Sequence, residues 1–435
     1  MAKALQVLRS IGLQTKDFFR LSFNLQRSSY GYRKLHMSSW IQSEHGSRIP
    51  SAHIDGKNKW LNLKWDGEQS KNYPYVWLRD NCRCRECYHE IASQKLFQFN
   101  DLDIDVEAND IHFTDDGTAV IHFSDGHKGK YPLSFLEGEK FPAFSDPLRQ
   151  LNKELWGSEL QGAIPTFQFS DVMTDDDVLL GWLTVLHTKG IAILQNAGTI
   201  PTEVKKIGDR VAYLRATYYG ETFQVMSKND PNSITYTDTA IDFHTDICAM
   251  YNQPGMQMLH CIKQSTEGGE NQLVDTYKVV EDLKKEEPEV HSILSSTLFE
   301  FTDIGTDILN DFHFRSSKPA ISYGFEGNIN QVSIHFSRHH SMNVPPEQVY
   351  PVYSALKVLS RYLYHEENIV RHRLSPGEIL CMDNRRLAHA RTKYYIDPTI
   401  KGVQRQLAGG YMDWDELSSF YRVLLEKKKK NENSN

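Results

Sequence analysis

Between residues 165 and 424 the chain carries short apolar runs that read as strands: GIAILQ, GMQMLHCIKQ, NQLVDTY, QVSIHF, EILCMDN and RQLAGGYMDW. Helical patterns do not alternate with them one for one. They gather at the start, in TDDDVLLGWLTVLHTKG and TEVKKIGDRVAYL, and in the middle, in TYKVVEDLKK and PPEQVYPVYSALKVLSRYLY. Thr174 is expected to cap the first helix and Gly190 to end it, with Pro345 or Pro346 in the first turn of the last. A parallel sheet needs a crossover helix between successive strands. This order therefore argues against a βαβ fold and predicts α+β: a sheet sandwich or barrel flanked by helices.

Three further segments precede or follow. Residues 1–45 carry Lys3, Arg9, Lys16, Arg20, Arg27, Arg33 and Lys34 against a single acid, Asp17, before Glu44. Wound as a helix, Arg9, Lys16 and Arg20 share one face, as in a mitochondrial leader directing the chain to the matrix; a merely disordered leader on a cytoplasmic protein is the alternative. Residues 46–150 hold the runs YPYVWLRD and TAVIHF with DDG and SDG turns, which suggests a small β-rich domain. WGSEL and AIPTF lie in a linker before residue 165, and 425–435, ending KKKKNENSN, are expected to be a disordered tail. Net charge −7 disfavours a nucleic-acid partner, and no apolar run is long enough to span a membrane.

The segment IDFHTDICAM places His244 two residues before Asp246. On a strand, residues i and i+2 share a face, so imidazole and carboxylate would converge on one point. His389, ending the EILCMDNRRLAHAR run, is the natural second imidazole. Two His and one carboxylate leave three positions open on an octahedral ion, the arrangement of Fe(II) oxygenases. HxD alone is common in a chain with 18 histidines. Arg405, sixteen residues beyond His389 in QRQLAGGY, adds a planar guanidinium suited to a distal carboxylate. This order fits iron plus 2-oxoglutarate; a metallohydrolase with the same ligands gives Arg405 no task.

Cys82, Cys84 and Cys87 supply three soft ligands on one tight loop, too close for a disulfide framework and suited to structural zinc. His89 is the nearest fourth ligand in sequence. Cys248, Cys261 and Cys381 are scattered singly through apolar runs and read as buried thiols.

From Tyr73 to Arg422, the stretches VWLRDNCRCRECY, WGSEL, FHTD, HCIKQSTEGG, FTDIGTD, DN…LAHAR and YMDWD resemble the γ-butyrobetaine and trimethyllysine dioxygenase family, the γ-butyrobetaine branch most. The resemblance implies a double-stranded β-helix (jelly-roll) domain, a homodimer, Fe(II) on His244, Asp246 and His389, and ascorbate as reductant. It implies His127 as the fourth zinc ligand, and Asn271 beside Arg405 at the co-substrate. It further implies a trimethylammonium cage of Tyr219, Phe223, Tyr236 and Tyr411, with Phe223 where the family has Trp. Hydroxylation of γ-butyrobetaine to L-carnitine is the expected reaction, with trimethyllysine or a related betaine as the alternative substrate. Ser233 and Ser337 stand where the γ-butyrobetaine enzyme has Asn, and Ile247 where it has Tyr. Arg338, beside Ser337, offers a replacement contact for a substrate carboxylate. No new carboxylate is evident near those positions to meet the α-ammonium of trimethyllysine.

Overall fold

A computed structural model describes residues 49–139, 141, 146, 148, 151–226, 234–307, 310–397 and 399–432. The expected leader and Ser233 lie outside the described residues. The chain divides into two compact units, residues 1–144 and 145–435. No described helix is long and apolar enough to cross a membrane.

The smaller unit is built on two three-stranded antiparallel sheets, one from Ser51–Asp55, Trp60–Lys64 and Lys71–Pro74, the other from Ala108–Phe113, Thr118–Phe123 and Lys128–Pro132. The run YPYVWLRD is not one strand. It passes from strand to a helix, Tyr75–Asp80, because Tyr75 and Leu78 bury one helical face next to Leu61, Leu63 and Ile121. Buried tyrosines close this core with their hydroxyls: Tyr73 donates to Leu136 O at 2.5 Å and Tyr131 to Leu78 O at 2.6 Å.

The larger unit is α+β, with two antiparallel-dominated sheets. Six strands run in the order Thr222–Met226, Gln406–Met412, Met256–Lys263, Ile379–Asp383, Ile191–Gln195, Thr166–Gln168. Four run Ile241–His244, Leu387–Arg391, Asn271–Asp275, Val370–His372. This is the double-stranded β-helix of the expected fold class. Several boundaries differ from those read in the sequence. Helix Asp176–Thr188 is capped by Asp175, whose carboxylate accepts from the N–H groups of Asp177 and Val178; Thr174 instead ends the preceding helical turn and donates to Ser170 O. QVSIHF is strand only to Val332, at the end of Ile329–Val332. The presumed linker belongs to this unit, with Trp156 and Leu160 buried in its core. From residue 425 the chain is helical rather than disordered: helix Trp414–Glu432 continues because Lys427 and Lys428 pair with Asp176 and Asp177 at 3.0 Å.

Between Ile379–Asp383 and Leu387–Arg391 the chain crosses from one sheet to the other through a turn held by Arg386, which is fully buried. Its guanidinium donates to both oxygens of Asp275 at 3.0 and 2.7 Å, to Thr188 O at 2.6 Å and to Glu154 O at 2.6 Å. Removing one partner of such a pair strands the other charge. Arg386→Met is expected to lower unfolding free energy by about 3–5 kcal/mol, read from urea melts of the full chain. A loss below about 1 kcal/mol would contradict this assignment.

Candidate active site

His244 and His389 are directly opposed across the antiparallel pair Ile241–His244 and Leu387–Arg391, with ring centroids 4.2 Å apart. His389 therefore sits inside its own strand rather than at the end of the EILCMDN strand. Asp246 also departs from the expected strand pattern, lying in the turn after His244. Asn384 pins that turn by accepting the Asp246 N–H at 2.7 Å and donating to Asp246 O at 3.0 Å. The result is the intended convergence by a different route. Asp246 Oδ1 lies 3.3 Å from His244 Nε2 and 3.9 Å from His389 Nε2, a spacing one cation can bridge.

Second contacts set the ligand states. His244 Nδ1–H donates to Asp242 O at 2.8 Å, which leaves Nε2 as the lone-pair nitrogen facing Asp246. The opposite sheet grips the carboxylate: Tyr411 donates to Asp246 Oδ2 at 2.7 Å, and Gln257, its cross-strand partner, donates to the same oxygen. Burial alone pushes the Asp246 carboxyl up, yet hydrogen bonding and charge from His244, His389 and Tyr411 hold it well below the usual carboxylate range. Burial, reinforced by His244, pushes His389 down to about 3. An ionised carboxylate beside a neutral imidazole is the form that binds a metal.

These residues open into a cavity of about 270 Å³ between the two sheets. Arg405, just before strand Gln406–Met412, is 2% exposed; its Nε reaches Gln264 Oε1 at 3.3 Å, and its Nη2 has no partner among the described residues. Arg391, which the sequence reading passed over, lies two residues beyond His389 on the same inward face. Its guanidinium donates to the carbonyls of Thr235, Thr237 and Thr239. The ring of Tyr394 stands 5.1 Å from both guanidinium carbons. Burial lowers both arginines from their ordinary values, and Arg405 lowers Arg391 further, to about 10. Two buried cations and an unspent N–H suit an anionic carboxylate. Asn271 lines the same cavity and donates to His372 O at 3.1 Å.

All four expected cage residues line the cavity. Phe223 stacks on Tyr411 with centroids 5.2 Å apart, and Tyr219 lies 6.2 Å from Phe223. Tyr411 thus has two tasks, one for its ring and one for its hydroxyl. Ser337 and Ile247 line the cavity as well. So does Asp303, an acid in FTDIGTD whose place in the cavity the sequence did not reveal. It is buried, accepts from Tyr218 at 2.5 Å and pairs with Arg338. No new carboxylate is expected from the sequence near Ser233 and Ser337; strand Phe299–Thr306 brings Asp303 of FTDIGTD to the cavity beside Arg338 from a distant stretch of sequence.

In the smaller unit, His127 Nε2 lies 3.3, 3.7 and 3.5 Å from the sulfurs of Cys82, Cys84 and Cys87. A tetrahedral zinc with ordinary Zn–S and Zn–N bonds separates nitrogen from sulfur by roughly 3.5 Å. The donor set fits. His89 is outside this cluster; its Nδ1 accepts from Ala92 N–H at 3.1 Å. Asp110, His112 and His122 form a third, exposed group close enough to hold a cation.

Residues 146–411 match the family described as taurine catabolism dioxygenase TauD, TfdA family, and residues 52–137 match the γ-butyrobetaine hydroxylase-like N-terminal domain. The chain belongs to this dioxygenase family and is an Fe(II)- and 2-oxoglutarate-dependent dioxygenase. It is 36% identical over 383 residues to γ-butyrobetaine dioxygenase of Homo sapiens, covering 86% of this chain and 96% of that relative. It is 29% identical over 370 residues to γ-butyrobetaine dioxygenase of Pseudomonas sp., covering 84% and 93%. Trimethyllysine dioxygenase, mitochondrial, of Bos taurus is 27% identical over 356 residues, covering 81% and 82%.

If Asp246 holds the metal, the hydroxyl of Tyr411 is a second contact on a ligating carboxylate, a kind of interaction worth about 10–100-fold in metal affinity. Tyr411→Phe keeps the ring and loses the donor, so Fe(II) affinity in an anaerobic titration should fall by about that factor. Unchanged affinity would remove Tyr411 from the metal-supporting shell.

Proposed function

We propose that this protein hydroxylates γ-butyrobetaine to L-carnitine, converting 2-oxoglutarate and O₂ to succinate and CO₂. The reading rests on one cavity that holds the His244, Asp246 and His389 cluster, the unspent N–H of Arg405 and an aromatic wall. Similarity to γ-butyrobetaine dioxygenases along most of their length supports the choice of substrate.

His244, Asp246 and His389 would hold Fe(II), which with 2-oxoglutarate supplies the oxidant for an unactivated C–H bond. Arg405 anchors the far carboxylate of 2-oxoglutarate, with Arg391 and Asn271 lining its path. A quaternary ammonium donates no hydrogen bond and is held by aromatic faces, each worth about 0.5–2 kcal/mol. Tyr219, Phe223, Tyr236 and Tyr411 supply those faces and exclude water from the reacting carbon. Trimethyllysine is the second reading, and Asp303 is the observation in its favour, as an acid available to an α-ammonium. Both oxygens of Asp303 are already engaged, by Tyr218 and Arg338, which favours the betaine acid.

The same proposal includes zinc on Cys82, Cys84, Cys87 and His127, a homodimer and ascorbate as reductant, for which the family resemblance is the support. A matrix location is proposed from the basic leader.

Succinate release should require γ-butyrobetaine, and His244→Ala or Asp246→Ala should abolish it. Arg405→Ala should raise the KM for 2-oxoglutarate about 10–100-fold, the value of a charge-assisted pair. Preference for trimethyllysine in a direct comparison would overturn the substrate, and equal use of 4-aminobutyrate would overturn the cage. Metal analysis of protein purified without chelator should find one zinc beyond the iron, lost in Cys82→Ser. Zinc-free protein with an intact smaller unit would refute the zinc site.

A further inference from the structure

The cavity contains three arginines, and they fall into two groups. Arg405 and Arg391 flank Tyr394 and feel one another's charge. Arg338 belongs elsewhere: its charge is felt at Tyr218, Tyr219 and Tyr236, the aromatic side of the cavity. Its backbone is fixed at both polar atoms. Arg338 N–H donates to His335 O at 3.0 Å, and Arg338 O accepts from Thr302 N–H at 3.0 Å, which ties it to strand Phe299–Thr306.

A guanidinium has five N–H donors in a planar fork. Among the described residues, only Asp303 partners the Arg338 side chain, and it takes Nη1. Asp303 by contrast has both oxygens engaged, Oδ1 by Arg338 and Oδ2 by the Tyr218 hydroxyl, and it is 3% exposed. The two members of this ion pair are thus unequal toward a ligand. Both line the cavity, but the acid is almost wholly covered and each of its oxygens already has a donor, whereas the guanidinium is 21% exposed with donors to spare. A purely structural pair would leave neither partner open to the cavity.

We infer that Arg338 is the subsite for the substrate carboxylate, oriented by Asp303 and Tyr218 as positioning residues. This deepens the reading of the protein as a hydroxylase of a trimethylammonium acid, and rests on it. The spare guanidinium edge accepts the carboxylate through charge-assisted hydrogen bonds while the cage holds the other end. Asp303 keeps the subsite near neutrality, so that Arg338 does not expel the cationic group from the neighbouring aromatic faces. An α-ammonium would have to share Asp303 with Arg338 and Tyr218, which already hold one oxygen each.

The test compares each acid with its methyl ester, which keeps the shape and removes the charge. Fe(II)-loaded full-length enzyme is assayed by succinate release on γ-butyrobetaine, trimethyllysine and both esters. The parent enzyme should prefer acid to ester, and Arg338→Gln should cut that preference about 10–100-fold, through KM rather than kcat. Arg338→Lys should restore part of it, since a point charge remains. The anaerobic absorption band of Fe(II) with 2-oxoglutarate reports that each variant is folded and loaded. If only the trimethyllysine pair is turned over, the proposed substrate fails while the role of Arg338 is still measured on that pair. An Arg338→Gln enzyme that discriminates acid from ester as well as the parent, on whichever substrate is used, overturns the inference.

Discussion

The Arg386–Asp275 pair is the constraint from which the geometry of the active site follows. Arg386 is the last residue of the turn that carries the chain from the six-stranded sheet to the four-stranded one, and His389 lies three residues further on. Asp275 ends the adjacent strand Asn271–Asp275, whose Leu273 is the cross-strand partner of His389. A bidentate bond between these residues therefore locks the register of the strand that carries His389. The same guanidinium holds Thr188 O at the end of a helix and Glu154 O in the entering segment. Two residues before Arg386, Asn384 fixes the backbone of Asp246. One short turn thus sets two of the three side chains proposed to hold the metal.

Electrostatically the cavity is an exercise in keeping charges of one sign apart. Arg391 directs Nη1 and Nη2 to three threonine carbonyls, dipoles that stabilise it without neutralising it, while its Nε has no partner among the described residues. Arg405 has even fewer partners. Leaving two buried cations without an internal acid costs stability, and the cost is offset when an anionic co-substrate arrives. At the other end Arg338 has its own acid, so a cationic ligand group can approach. The same cavity thus joins a strongly positive region at Arg391 and Arg405 to a balanced one at Arg338 beside the aromatic residues, an asymmetry suited to orienting a dipolar ligand.

Much of this was legible in the sequence, and the failures share a cause. His244, Asp246, His389 and the Cys82–Cys87 loop stood out because ligand chemistry demands particular residue types at short spacing, and the structure gathers each set into one cluster. Four of the six strands of the larger sheet and the longer helices before residue 365 announced themselves by period, whereas the edge strands Thr222–Met226 and Thr166–Gln168 did not. Asp303 was missed because nothing local separates an acid facing a cavity from one facing water. Arg338 was noticed but its partner was not, since the two meet only through pairing of Phe299–Thr306 with the chain near residue 338. Arg391 could have been found by the argument applied to His244 and Asp246, because i and i+2 share a strand face. The expected tail failed for a different reason: its lysines looked solvated until the acidic first turn of helix Asp176–Thr188 was placed beside them.

Two glycines make room for functional side chains in ways that composition hides. Gly409 faces Phe223 across the pair Thr222–Met226 and Gln406–Met412, and any Cβ there would collide with the phenyl ring. The ring can lie flat against the sheet and stack on Tyr411 only because the opposing residue has no side chain. Gly269 has φ +73°, a backbone conformation that side chains strain, and a Cβ there would sit 2.9 Å from Arg405 Nε. Backbone freedom and close approach are needed at the same position. A cavity that must hold a flat ring and a guanidinium at fixed places is shaped as much by missing atoms as by present ones, so the glycines of HCIKQSTEGG and QLAGGY belong to the site though neither touches the chemistry.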